Sequence, residues 1–372
     1  NFYVSASSGV DAPDRGTSAA PYAPIQYAVT NGQLLVAGDV FNVLPGTYYG
    51  CVETPEIPVS IVSTDGPEAT VIDGEGWDCC YYGGANLQNV ISGFTITNGA
   101  YCGGILGGVA SNCVIVSCFS GDSQNYGYGG GAYDAYLYDC VLHNNESDFG
   151  GGAANCVLVN CTVYDNWAYY AGGGVDCACI VTNSIVWRNR ATNDDVIENW
   201  ERFEQRSWSG SVVFLSSFAF SCTFPEGFDD LGGNITNDPM CVSFDIDDWR
   251  LRIGSPCAGS DSRGMNMGAW QGNPIVGYVI SAEVNGRGAV NPWSQFVLAG
   301  GDATFTAVGD HPFLGFETNG KLYLDGHTLT IRSRMPKEWK KAGYPSNIDF
   351  GGTAENPGKI VWKAPGIMLL VK

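Results

Sequence analysis

The first 275 residues of this 372-residue chain contain no lysine. They carry 8 arginines against 30 aspartates and glutamates. Up to residue 187 the only basic side chains are Arg15 and His143, and the whole chain has 3 histidines. A surface so short of cations repels nucleic acid and anionic lipid, so neither is an expected partner. A polysaccharide lyase is disfavoured for the same reason. β-Elimination from a uronic acid needs a base, often Arg or Lys, and cations to neutralise the carboxylate. Long hydrophobic runs are missing as well. None approaches the roughly 18 to 20 apolar residues that span a bilayer, so no membrane span is expected. The opening "NFYVSASSGVD" reads as a strand and not as a secretory signal, so in an exported protein the numbering would start after cleavage.

What the chain has instead is glycine, 51 residues, and an even count of 14 cysteines. That many cysteines favours an exported protein with some disulfides, although cysteine also serves as a small buried hydrophobe. Five segments align on one another: "VISGFTITNG" (90–99), "VIVSCFSGDS" (114–123), "YLYDCVLHNN" (136–145), "VLVNCTVYDN" (157–166) and "IVTNSIVWRN" (180–189). Glycine clusters at 107–108, 129–131, 150–152 and 172–174 separate them. The period is about 22 residues with no helical spacing, which predicts a β-solenoid whose coils stack about 4.8 Å apart. In this alignment Ile91, Ile115, Leu137, Leu158 and Val181 form one apolar column, and Ile96, Leu142, Val163 and Val186 another. Asn145, Asn166 and Asn189 fall in register as a turn ladder.

The cysteines follow the same columns. Cys118, Cys140 and Cys161 are expected in one and Cys156 over Cys179 in another, as adjacent-coil disulfides or as an inward ladder of thiols. Cys51 has Cys79 or Cys80 as partners, and Cys222, Cys241 and Cys257 have each other. The C-x4-C pairs Cys113/Cys118 and Cys156/Cys161 do not read as zinc sites, since residues five apart on a strand face opposite ways.

The opening "FYVSASSGVDAPDRGTSAAPYAPIQYAV", followed by "GDVFNVLPGTYYG", resembles the N-terminal cap and first coil of secreted bacterial right-handed parallel β-helix proteins. The stretch "GGNITNDPMCVSFDIDDWRLRIGSPCAGSDSRGMNMGAWQG" (232–272) is similar to the closing segment of that family. Cys257 and Ser260 depart from its pattern, and residues about 190–231 form an irregular insertion. After residue 275 lysine appears, and "VISAEVNGRGAVNPWSQFVLAGGDATFTAVGDHPFLGFETNGKLYLDGHTLTI" resembles a small β-rich module of bacterial surface proteins. The resemblances imply an all-β chain: a right-handed parallel β-helix with a cap over 1–274, then a small β domain over 275–372.

The family mixes adhesins, surface proteins and carbohydrate-active enzymes, so function must come from particular residues. For a glycosidase, Asp122 and Asp165 share a column position, and Glu146 and Asp148 lie near the glycine corners with Asp134 and Asp176. Asp148 and Asp176 are also the Ca²⁺ candidates; otherwise no cofactor is expected. For binding, Tyr126, Tyr128, Phe149, Trp167, Tyr169 and Tyr170 cluster beside the same corners, with Tyr128 and Phe149 one coil apart. For assembly, the basic run Arg332, Arg334, Lys337, Lys340 and Lys341 could meet the acidic body of another copy. The last strand, with Ile367, Met368, Leu369 and Leu370, either completes its own sheet or adds to a neighbour's. The first reading is a non-catalytic secreted structural or adhesive protein that self-associates or binds a surface glycan or protein. The alternative is a carbohydrate-active enzyme.

Overall fold

A computed structural model describes residues 1–31, 35–84, 88–121, 125–191, 216–223, 229–243 and 247–275, and beyond these the backbone of the strands between Gly277 and Val371. The chain is nearly all β and falls into two units, Asn1–Met240 with Ser255–Gly272, and Cys241–Gly254 with Asn273–Lys372.

The first unit is a parallel β-solenoid. One coil shows the plan. Tyr136–Tyr138 forms side one, Val141–His143 side two, Glu146–Phe149 side three and Ala153–Ala154 side four. The next coil then returns to side one with Val157–Val159. Stacking these strands gives sheets of ten, seven, five and six strands for sides one to four. The strands are only two to five residues long because a corner follows each, and from Val90 onward most three-residue strands of sides one and two have a single inward residue at their centre, whereas Val59–Ser63 in the first coils still alternates over its length. The inward residues make the core. On side one the register runs Phe41, Ile61, Ile91, Ala110, Leu137, Leu158, Val181 and Phe218. On side two it runs Tyr48, Ile72, Ile96, Ile115, Leu142, Val163 and Val186. Ile115 therefore belongs to the second column, and Ala110 takes its expected place in the first.

That displacement has a local cause. Each coil repeats a five-residue unit, three strand residues and a two-residue corner, twice in succession: "VAS-NC-VIV-SC" matches "YLY-DC-VLH-NN". An alignment on the wrong corner still scores well. The outer corner residue sits at positive φ, as at Asn112 (48°), Asp139 (53°), Asn160 (55°) and Asn183 (53°), which is why Asn and Asp recur there. The inner corner residue points into the core. Between sides one and two these are Phe94, Cys113, Cys140, Cys161, Ser184 and Ser221, so the thiol column holds Cys113 in place of Cys118. Between sides two and three they are Cys118, Asn145, Asn166 and Asn189.

The glycine triplets are the corner between sides three and four. Gly150 has φ of 65°, and a Cβ on Gly151 would collide with the carbonyl oxygens of Trp167 and Gly173. Only glycine lets successive coils approach so closely here.

Phe2–Val4 and the short helix Ile25–Asn31 close the first coil, with Tyr22, Ile25, Ala28 and Val29 buried. At the other end the segment 255–272 does not continue the solenoid but lies along side two. Gly268 N–H donates to the Asn183 carbonyl at 2.8 Å, and Ala269 N–H to Thr162 Oγ1 at 3.0 Å. Arg263 reaches Asn160 Oδ1 at 2.9 Å. Outward residues of side two, Thr162 and Ile185, are buried in consequence.

In the second unit Cys241–Ser243 pairs with Asp248–Leu251. The terminal strand Ile367–Val371 pairs antiparallel with Gly277–Gly286 along one edge and with Ile360–Val361 along the other. Ile367, Met368, Leu369 and Leu370 thus all have backbone partners within this unit. Arg332 ends the strand Thr328–Arg332. Arg334, Lys337, Lys340 and Lys341 lie outside the described residues. No helix among the described residues is long and apolar enough to cross a membrane.

Candidate binding surface

The corner ladders decide which polar residues are already committed. At Asn166 the side-chain Oδ1 accepts from Asn145 N–H at 3.0 Å and from Asn145 Nδ2 at 2.9 Å. Its own Nδ2 donates to the Leu142 and Tyr164 carbonyls and to Asn189 Oδ1, and Asn189 Oδ1 also accepts Asn166 N–H. The ladder begins at Cys118, whose N–H donates to Asn145 Oδ1. Asn145, Asn166 and Asn189 stack as the sequence predicts.

The thiols do the same job more weakly. Among the described residues the fourteen cysteines are thiols, and the expected disulfides are not formed. Ala135 N–H donates to Cys156 Sγ and Cys156 N–H to Cys179 Sγ, at 3.4 and 3.3 Å. Cys156 and Cys179 are thus stacked as expected. Cys161 N–H donates to Ser184 Oγ at 2.9 Å, so a hydroxyl replaces the thiol one coil on. These inward thiols are inert. Burial pushes Cys113 and Cys140 well above the ordinary thiol range and Cys179 up to about 12. Cys80 is buried against Cys118, which raises it, and it donates to the Thr97 carbonyl. Cys222 donates to the Asn237 carbonyl, and buried Cys257 accepts Met267 N–H on its own carbonyl. Cys241 faces Leu251 in its strand pair.

Three of the acids near these corners are consumed by the positive-φ positions. Asp139 accepts from Asn160 at 3.0 Å, Asp134 from Asn155 at 3.1 Å, and Asp165 pairs with Arg188 at 3.0 Å. Asp165, offered as a catalytic acid, is thus a corner residue (φ 51°) held by the next coil. Its proposed partner Asp122 lies outside the described residues. Asp148 accepts Gly127 N–H at 2.8 Å, which ties down the loop before the triplet. Glu146 stands exposed on side three in line with Phe119 and Trp167. Asp176 differs from all of these. It is buried, Oδ1 accepts Cys177 N–H at 2.7 Å, and Oδ2 has no hydrogen-bond partner. Burial pushes its pKa up to about 6.

The aromatics form one assembly. Tyr128, Phe149 and Tyr170, on three successive coils, stack with ring centroids 5.3 and 5.2 Å apart and planes within 16° and 21°. Tyr128 and Phe149 share a parallel bridge, so the expected register is present. Tyr126 meets Phe149 and Tyr170 edge-on at 5.8 and 5.4 Å, and Tyr169 meets Tyr170 edge-on at 4.7 Å. Trp167 meets Tyr169 edge-on at 6.3 Å. The stack occupies the faces of its own three rings. The most open rings of the group are Tyr126, 63% exposed, and Tyr169, 49% exposed, both propped on that stack, against 37% for Tyr128 within it.

No family model and no curated protein matches the chain. Among solved structures it is similar to Escherichia coli YbhC, with a TM-score of 0.37 and 14% identity over 62% of this chain and 73% of that one. It is also similar to a pectin methylesterase variant in complex with hexasaccharide IV, TM-score 0.29 and 12% identity, covering 60% and 78%. A pectin methylesterase in complex with hexasaccharide VII gives 0.27 and 11%, with the same coverage. Likeness of this degree transfers neither substrate nor residues to this chain.

Proposed function

We propose that this chain is a non-catalytic, exported β-solenoid with an adhesive role. It holds an uncharged glycan against Tyr126 and Tyr169. The observation that carries this reading is the exposed aromatic pair braced by the Tyr128–Phe149–Tyr170 stack. A rigid, half-exposed ring costs little to order and offers an apolar face to a sugar ring. The carboxylates of Glu146 and Asp148 flank the assembly, so polyuronates and other polyanions are disfavoured ligands. The test is retention of the purified chain on a panel of neutral and acidic polysaccharides. Retention on a neutral glycan that is lost in the Tyr126→Ala/Tyr169→Ala double variant supports the reading. Retention only on polyanions contradicts it.

A second reading, a carbohydrate-active enzyme, is favoured by Asp176 alone. A carboxylic acid that keeps its proton to about pH 6 suits general-acid work. Its burial withdraws it from the surface that the aromatics present, which is why binding without turnover comes first. Release of reducing ends from the same polysaccharides, abolished by Asp176→Asn, would reverse that order.

A further inference from the structure

Three cysteines outside the ladders lie close together: Cys51, Cys79 and Cys102. They lie on three successive coils, Cys51 and Cys79 between a side-two strand and the following side-four strand, and Cys102 in the short side-three strand Tyr101–Cys102. Cys51 precedes Val52–Glu53, Cys79 precedes Tyr81–Gly84, and Cys102 precedes Ile105–Gly107. Cys51 Sγ lies 3.7 Å from Cys79 Sγ. Asp78 adds an exposed carboxylate, with Oδ1 at 3.5 Å from Cys102 Sγ. Ligand atoms of Asp78, Cys79 and Cys102 all lie within 4.8 Å of one another.

The 3.7 Å and 3.5 Å separations match two edges of a coordination polyhedron. For zinc bonds of about 2.3 Å to sulfur and 2.0 Å to oxygen, a tetrahedron has S···S edges of about 3.8 Å and S···O edges of about 3.5 Å. A disulfide would need about 2.05 Å. The set is also unlike the inert thiols of the core. Asp78 is exposed, while Cys51 and Cys102 are half-exposed, so an ion can enter from solvent.

We propose that Cys51, Cys79, Cys102 and Asp78 bind one Zn²⁺ that clamps three successive coils. Three thiolates call for a borderline or soft cation, and the carboxylate favours Zn²⁺ over Cu⁺. Four protein ligands make a closed, structural site. Cys51 stands outside the tight triangle of the other three and closes the fourth position by turning about its χ1. Binding releases the thiol protons to solvent, so affinity falls as pH falls.

The test uses the whole chain, kept reduced, loaded with ZnSO₄ and then gel-filtered, with metal content measured by mass spectrometry. The expected result is one zinc per chain and a raised melting temperature. Both are lost in Cys102→Ser and in Asp78→Asn and kept in Cys161→Ser. X-ray absorption on the wild-type protein reads the ligand set without any variant, and three sulfurs with one oxygen are expected. No retained zinc, zinc retained in full by both variants, or a shell without sulfur would overturn the proposal.

Discussion

Two ladders, offset by one coil and sharing two, run a few residues apart in sequence, and they do opposite things. Asn145, Asn166 and Asn189 point inward. Tyr128, Phe149 and Tyr170 belong to the glycine-corner side and point outward. The coil spacing is the same for both, so repetition itself does not assign a role. Direction and saturation do. The amide of Asn166 spends its whole donor and acceptor capacity on backbone and neighbouring amides, and nothing is left for a ligand. The aromatic stack is saturated only between its own rings, and it leaves Tyr126 and Tyr169 open. A column that closes on itself is scaffold, and one that leaves rings uncovered is a surface for something else.

The largest effect should come from breaking the inward ladder. Asn166→Ala leaves the buried Asn145 N–H and the Leu142 carbonyl without their partner. Two or three such losses amount to roughly 3–5 kcal/mol. Urea unfolding followed by circular dichroism measures it. A cost under about 1 kcal/mol would mean that the amides merely fill space.

The buried carboxylate of Asp176 should follow. Its folded-state pKa, about 6, is raised above the unfolded value of 3.8 by burial. Between about pH 4 and 6 the native state keeps a proton that the unfolded state has released, so stability falls as pH rises through that window. Above it both states are ionised and the slope vanishes. Two pKa units correspond to about 3 kcal/mol. Asp176→Asn should flatten the slope between pH 4 and 6, as read by melting temperature against pH.

The smallest effect should be Cys161→Ser. Ser184 already occupies the next rung with the same bonds, accepting Cys161 N–H and donating to the Thr182 carbonyl. The change should therefore cost about 1 kcal/mol or less, while Cys161→Ala removes the donor and leaves a small cavity, at about 1–3 kcal/mol. Equal costs for the two would show that the thiol is there for volume alone.

Much of this was legible in the chain. Glycine triplets 21 and 22 residues apart announce the coil, because close backbone approach admits nothing larger. The asparagine register reads directly, since Asn at a corner has one obvious use. The cysteine column does not, because Cys113 and Cys118 both follow a small polar corner residue and only three-dimensional pairing separates the two corners. Adjacent-coil disulfides and a ladder of thiols fitted the sequence equally; the thiols are what is found, because an inward corner residue at one-coil spacing has backbone groups to bond and needs no covalent partner. Cys102 escaped notice because its relation to Cys51 and Cys79 spans three coils with irregular loops between them. The burial of Thr162 and Ile185 on an outward face was invisible too, as it depends on the segment 255–272 folding back along side two.

Glycan binding by this chain rests on Tyr126 and Tyr169. Calorimetric titration of a neutral oligosaccharide into the wild-type chain and into Tyr126→Ala/Tyr169→Ala, with melting curves of both, addresses it directly. Base-free stacking of this kind is worth about 0.5–1.5 kcal/mol per ring, so the double variant should lose roughly tenfold in affinity or more. Its melting temperature should stay within about 2 °C, since both rings are exposed and little burial is lost. Undiminished binding in the double variant, or turnover of the oligosaccharide by the wild-type chain, would contradict the account.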